Sequence, residues 1–224
     1  MPTVTPIATV SAAHRLLGVT PPSHPLISVL PHGDFPAEPL DLTGPYRLDL
    51  YLVSLKPGIA GSFGYGRATY DFQEGTLLFT APGQVLSFHE PQTRTASDIE
   101  GWTLLIHPDL LRGSVLAQAL PDFSFFRYAA NEALHVSARE RATLAAFVDN
   151  VAAEIAHNID KHSRELILVN LESLLRYSAR FYERLTQKRG PSTPFLRPRA
   201  PARAAPTYTA SRPSCASGSL PQNW

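Results

Sequence analysis

Cysteine is almost absent from this 224-residue chain: the single residue Cys215 rules out a disulfide framework and a multi-cysteine zinc site within one chain. An excess of one charge is absent too. Lysine and arginine together number 20 against 19 acidic residues, so the whole chain carries no electrostatic footprint for nucleic acid or anionic lipid. No segment approaches the roughly 18 apolar residues of a membrane span. The N-terminus, MPTVTPIA, has no basic n-region and makes a poor signal peptide. A soluble, cytoplasmic protein without a membrane partner is expected. Catalytic signatures are missing as well. His157 and His162 stand five apart across a helix break, where a metalloprotease-type zinc site needs two histidines four apart on one helical face. Gly64-Tyr65-Gly66 lacks the third glycine of a dinucleotide loop and reads as a turn. There is no Gly-x-Ser-x-Gly elbow and no phosphate loop. His89 and Glu90, as neighbours on a strand, would face opposite ways and make a poor acid–base pair. No catalytic residue, no metal and no cofactor is therefore expected.

What is present is an ordinary 44% apolar content, enough for a core, and a strong change of texture along the chain. Residues 1–20 read as a flexible N-terminus. Residues 17–46 are dense in proline and glycine around one apolar run, Leu26 to Leu30, which predicts a single early strand. Short β-type segments follow at 46–55, 67–72, 76–80, 84–89 and 101–106, separated by turn residues such as Pro57-Gly58 and Pro82-Gly83. Strands at that spacing predict a barrel or sandwich. Leu48, Leu50 and Leu52 fall on one face of the first segment, and Ala68, Tyr70 and Phe72 on one face of the next. A short helix is expected near 109–119.

Two longer helices are predicted beyond residue 136. Ser137 and Glu140 form a capping box that opens a helix running to about His157, with Leu144, Phe147, Val148, Val151 and Ile155 as its apolar stripe. In the second helix, about 162–186, Ile167, Leu171, Leu174, Ser178, Phe181 and Leu185 recur at heptad spacing beside a second stripe of Leu168, Leu175 and Tyr182. Such a helix has two apolar contacts to satisfy. Residues 189–224 hold seven prolines, five arginines and no acid, with no apolar period, and are expected to be disordered. The body, 1–188, is acidic by four charges.

The stretch from Gly75 to Gly83 looks like the second half-motif of cupin barrels, yet the histidines that hold a metal in them are missing: none occurs in 61–74, and His89 comes late. Four phrases then carry a more specific likeness: Ser62 to Gln84 (SFGYGRATYDFQEGTLLFTAPGQ), Gly101 to Leu111 (GWTLLIHPDLL), Asn131 to His135 (NEALH) and Asn158 to Ser163 (NIDKHS). Over residues 46–188 the chain resembles the N-terminal regulatory region of AraC-family transcription regulators. The resemblance implies an α+β fold: a cupin-like β-barrel of jelly-roll type, 21–136, binding a small-molecule effector, followed by two or three helices, with 137–188 as a helical dimerisation segment. Tyr51, Ser54, Tyr65, Tyr70, Phe79, His89 and Trp102 are the candidates for an effector pocket, although each also fits ordinary packing. By the same resemblance Leu171, Leu174, Ser178 and Phe181 are assigned to a homodimer contact, with intramolecular packing as the alternative. Family members continue into two helix-turn-helix units; here the proline- and arginine-rich stretch follows instead, as a frameshift or a basic tail would give. DNA contact is thus expected only through a part this chain lacks. A small metal-dependent cupin enzyme, an isomerase or dioxygenase, is the competing reading.

Overall fold

Apolar residues at period two build two five-stranded sheets, and the two long helices pack on the second of them. The computed structural model describes residues 4–38, 41–56, 62–65, 68–71, 75–88, 101–126, 134–157 and 160–189; the expected tail beyond 189 lies outside them. The first sheet has the order β1 (Thr5–Ile7), β3 (Gly44–Leu48), β8 (Gln84–Phe88), β5 (Ser62–Tyr65), β6 (Ala68–Asp71). The second runs β10 (Leu134–His135), β7 (Thr76–Thr80), β4 (Tyr51–Lys56), β9 (Trp102–Ile106), β2 (Ile27–Pro31). All pairings are antiparallel except that of β1 with β3. No backbone pairing joins the two sheets into a closed barrel among the described residues. The fold class is α+β.

Four of the sequence expectations need correction. Within the stretch expected to be a flexible N-terminus, residues 4–20 carry regular elements: β1 extends the first sheet, and helix α1 (Val10–Leu16), capped by the Thr9 hydroxyl, buries Val10, Ala13 and His14. The segment 46–55 is not one strand. It breaks at Asp49–Leu50, so that β3 lies in the first sheet and β4 in the second, while Leu48, Leu50 and Leu52 still meet in one apolar cluster between the sheets. Gly64 and Tyr65 lie in strand β5, paired with Thr69 and Ala68, instead of forming a turn. The expected helix near 109–119 divides into α2 (Pro108–Leu111) and α3 (Val115–Ala119), separated by Gly113 in the left-handed region.

The turn between β7 and β8 follows from its sequence. Gln84 N donates to Ala81 O, Pro82 supplies the fixed φ of the first central position, and Gly83 takes the positive φ of 85° that the second requires in a type II turn. The Gln84 side chain closes it further, its Oε1 accepting from Ala81 N at 2.6 Å and its Nε2 donating to Phe126 O. Helix α4 (Ala138–Ala156) begins at the capping box, with Glu140 N donating to Ser137 Oγ and Ser137 N donating to Glu140 Oε2. Asp160 accepts from the His162 and Ser163 amides ahead of α5 (Ser163–Arg189), and these hydrogen bonds lower its carboxyl pKa.

Parity on the second sheet explains where the core lies. Val53, Leu55, Leu77, Phe79, Trp102, Leu104 and Ile106 pack with α4 and α5, whereas Leu30, Leu52, Leu78 and Leu105 point toward the first sheet and meet Ile7, Leu48 and Leu86. The layers are therefore sheet, sheet, helices. Leu171, Leu174, Ser178 and Phe181, assigned above to a dimer contact, are all buried in this chain's own core, and Ser178 Oγ donates to Leu174 O within the helix. The heptad spacing reports packing of α5 on the second sheet and α4. No helix among the described residues is long and apolar enough to cross a membrane. Leu171→Ala should lower the unfolding free energy by about 2–5 kcal/mol, the range for truncating a buried leucine. Urea titrations at several protein concentrations check this: a core residue gives the same loss at each, an interface residue a loss that varies with concentration.

Candidate functional site

Between the two sheets the inner face of the second one carries a band of polar side chains interspersed with Leu30, Leu52, Leu78 and Leu105. Ser28 lies on β2, Thr103 on β9, Ser54 and Lys56 on β4, Thr76 and Thr80 on β7, and the strand register sets Thr103 opposite Ser54 and Lys56 opposite Thr76. The alternate residues of the same strands are the apolar ones that face the helices.

Two of these groups are joined. Ser54 Oγ lies 3.3 Å from the Trp102 carbonyl oxygen and 2.8 Å from Thr103 Oγ1, and Thr103 Oγ1 lies 2.9 Å from His32 Nε2. One order of donation satisfies each member: His32 Nε2–H donates to Thr103, Thr103 donates to Ser54, and Ser54 donates to the carbonyl. His32, at the start of a short 3-10 turn (His32–Asp34), is held there because its backbone N–H donates to Gly101 O at 2.8 Å and its ring lies against the Gly101 Cα. A Cβ on residue 101 would come within 2.2 Å of His32 Nδ1 and 2.7 Å of the Leu55 carbonyl oxygen, so only glycine fits. A second buried imidazole, His14 of α1, donates from Nδ1 to Thr20 O, which leaves Nε2 to accept from Ser28 Oγ at 2.9 Å.

Two features of this band are unusual for a sealed core. Thr80 is fully buried, yet its hydroxyl has no hydrogen-bond partner among the described residues, a costly state for a polar atom. Tyr46, Leu52 and Leu78 keep accessible surface although they belong to the inter-sheet cluster. Hydroxyls, imidazoles and leucines brought together in this way can hold an organic molecule by shape and a few hydrogen bonds. Among the described residues no three His, Cys, Asp or Glu side chains come together as metal ligands would.

The expected pocket residues divide between the two faces. Ser54 is on the inner face. Tyr51, Phe79 and Trp102 are on the helix side: Tyr51 meets Phe126 edge-on, Phe79 stacks on Phe125 at 4.0 Å, and Phe125 in turn meets Tyr182 of α5. Burial raises the Tyr51 pKa. Those aromatics fasten the helices and do not gather around the polar band. Tyr65, on β5 of the first sheet, stands in register with Leu86 and Ala68, and Tyr70, on the edge strand β6, with Phe63; His89 lies outside the described residues. Sequence reading missed His14, Ser28, His32, Thr76, Thr80 and Thr103. For the strand positions the signal was there, as polar residues at period two within strands whose other positions are apolar.

A second concave region lies on the surface, where the start of α4 meets the end of α5. Ser137, Arg139, Glu140, Tyr177, Phe181 and Arg184 are among the residues that line a cleft of about 770 Å³. Glu140, 5% exposed, forms an ion pair with Arg184 Nη1 at 2.5 Å, and the Arg184 guanidinium sits 5.8 Å from the centre of the Phe181 ring. Burial pushes the Glu140 pKa up, but hydrogen bonds from Arg184 and from the Ser137 amide and hydroxyl outweigh it and leave the pKa lowered. The pair's contribution is then fully present above the ordinary carboxylate value of 4.5 and disappears as pH falls through the lower folded value. Glu140→Gln should cost about 1–2 kcal/mol near neutral pH and flatten the fall in stability between pH 5 and pH 3, read by urea unfolding across that range. An unchanged acid slope would show that Glu140 has the same pKa folded and unfolded.

No protein-family model matches the chain, and no curated protein matches it in sequence.

Proposed function

We propose that this chain is the effector-sensing and dimerisation part of an AraC-type transcription regulator, with a cupin-like double sheet as the sensor. The observation that carries the reading is the polar band between the sheets, with its Ser54–Thr103–His32 chain and the unpartnered Thr80 hydroxyl. The phrases Ser62 to Gln84 and Gly101 to Leu111 supply the likeness, and they contribute the strands that border the band. In such a regulator promoter binding is the work of helix-turn-helix units, so the described residues answer for sensing and pairing. A cytoplasmic location goes with that role.

A thermal-shift screen of sugars, organic acids and small aromatic compounds tests the sensor. The expected result is a compound class that raises the Tm of the wild type and has no effect on Ser54→Leu, whose added bulk fills the band. If no compound in a broad panel moves the Tm, the sensing reading fails and a ligand-independent dimerisation module is left. Metal analysis of the purified protein separates off the competing reading, a metal-dependent cupin isomerase or dioxygenase: a stoichiometric ion removed only by a chelator would favour it.

Pairing of two copies belongs to the same proposal. With Leu171, Leu174, Ser178 and Phe181 taken by the core, the face of α5 open to a second copy is the one bearing Leu166 and Val169, 45% and 56% exposed, with Tyr177 further along. Sedimentation velocity should find a dimer in the wild type and a monomer for Val169→Glu; a dimer that persists in the variant would move the contact elsewhere.

A further inference from the structure

We propose that the first turn of α4 is a coupling junction, which links the inner face of the second sheet to the last turns of α5 and so carries the state of the inter-sheet space to the place where the chain leaves the helix. The inference concerns regulation of the sensing site and rests on that reading for its use, but the junction itself can be tested with no ligand present.

Each step of the link is a short contact between named groups. Thr76 stands on the inner face, paired with Lys56 and two residues away from the position opposite Ser54. It also pairs with His135 of β10, and its hydroxyl lies 3.5 Å from His135 Nδ1. One residue on, Val136 N donates to Gly75 O at 2.8 Å. The contact is tight: Gly75 has φ +70°, and a Cβ there would stand 2.4 Å from the Val136 carbonyl oxygen. Ser137 follows at once as the cap of α4, and Glu140, on the first turn, is hydrogen-bonded back to Ser137 and paired with Arg184.

The link has little slack because β10 is two residues long and only Val136, itself tied to Gly75, stands between it and the cap. Thr76 cannot move along the inner face without carrying His135 and the cap with it. At the far end Phe181 is buried and Tyr182 meets Phe125, so Arg184 is the last described side chain of α5 tied to the body. Removal of the Glu140 charge would leave Arg184 without its ion-pair partner and free the end of the helix. A shift of Thr76 by an occupant of the inter-sheet space thus reaches α5 through the backbone of three residues and one ion pair.

Hydrogen exchange of the full chain, read by mass spectrometry, tests the junction. Glu140→Gln should speed exchange of α5 amides beyond residue 178 by about threefold or more, as expected for a local opening. Gly75→Ala, which forces Val136 away, should speed the same amides and leave α1 unchanged. In the double variant the acceleration should not exceed that of the larger single one, since both break one link. Thr76→Val, which keeps the volume and removes the hydroxyl, should act in the same direction more weakly and serves if Gly75→Ala exchanges faster everywhere. The junction is overturned if neither sheet-side variant affects the end of α5, or if the effects multiply as independent ones do. Coupling that survives a failed compound screen would sink only the sensing reading, and compound binding without coupling would sink only the junction.

Discussion

Strand β9 is buried along its whole length on both faces, and the rest of the architecture answers to that. Trp102, Leu104 and Ile106 lie against the helices while Thr103 and Leu105 point to the first sheet, none of them more than 8% exposed. A strand with two buried faces has no solvent side on which to place its polar residues. Any hydroxyl it carries must find a partner inside the molecule. Thr103 does so through Ser54 and His32, which in turn requires glycine at position 101 and fixes the 3-10 turn that holds His32. The helices are equally constrained, because α4 and α5 bury their apolar sides against the outer face of this sheet.

Local elements were legible where one residue type has one physical use. The Ser137–Glu140 capping box, the Pro82-Gly83 turn and the short apolar segment at 76–80 between turn residues each name a conformation that little else in the chain contradicts. The break at Asp49–Leu50 was not legible, since Leu48, Leu50 and Leu52 keep their period through it and end in the same apolar cluster. The two-residue strand β10 is likewise too short to leave a period. Heptad spacing along α5 was read correctly as a buried seam, yet spacing cannot say whether the partner surface belongs to another chain or to the sheet next door.

The site was legible by half, for a related reason. Aromatic residues attract attention as ligand contacts, but Tyr51, Phe79 and Trp102 have the large apolar areas that a sheet–helix interface needs, and they are used there. The polar band is built of smaller residues whose meaning depends on which strand face they occupy. His14 and His32 come from segments before the strands they serve, so no local pattern connects them with Ser28 or Thr103; only the folded chain does.

The parallel pairing of β1 with β3 bears on how the protein keeps to itself in a crowded solution. β1 is three residues long and has proline at its centre, so the outermost strand on that side of the first sheet cannot present a full row of amide donors to a neighbour. A chain shortened to begin after α1 would lose that shield along with the apolar contacts of Ile7 and Val10, leaving the longer strand β3 as an open template for strand-to-strand association.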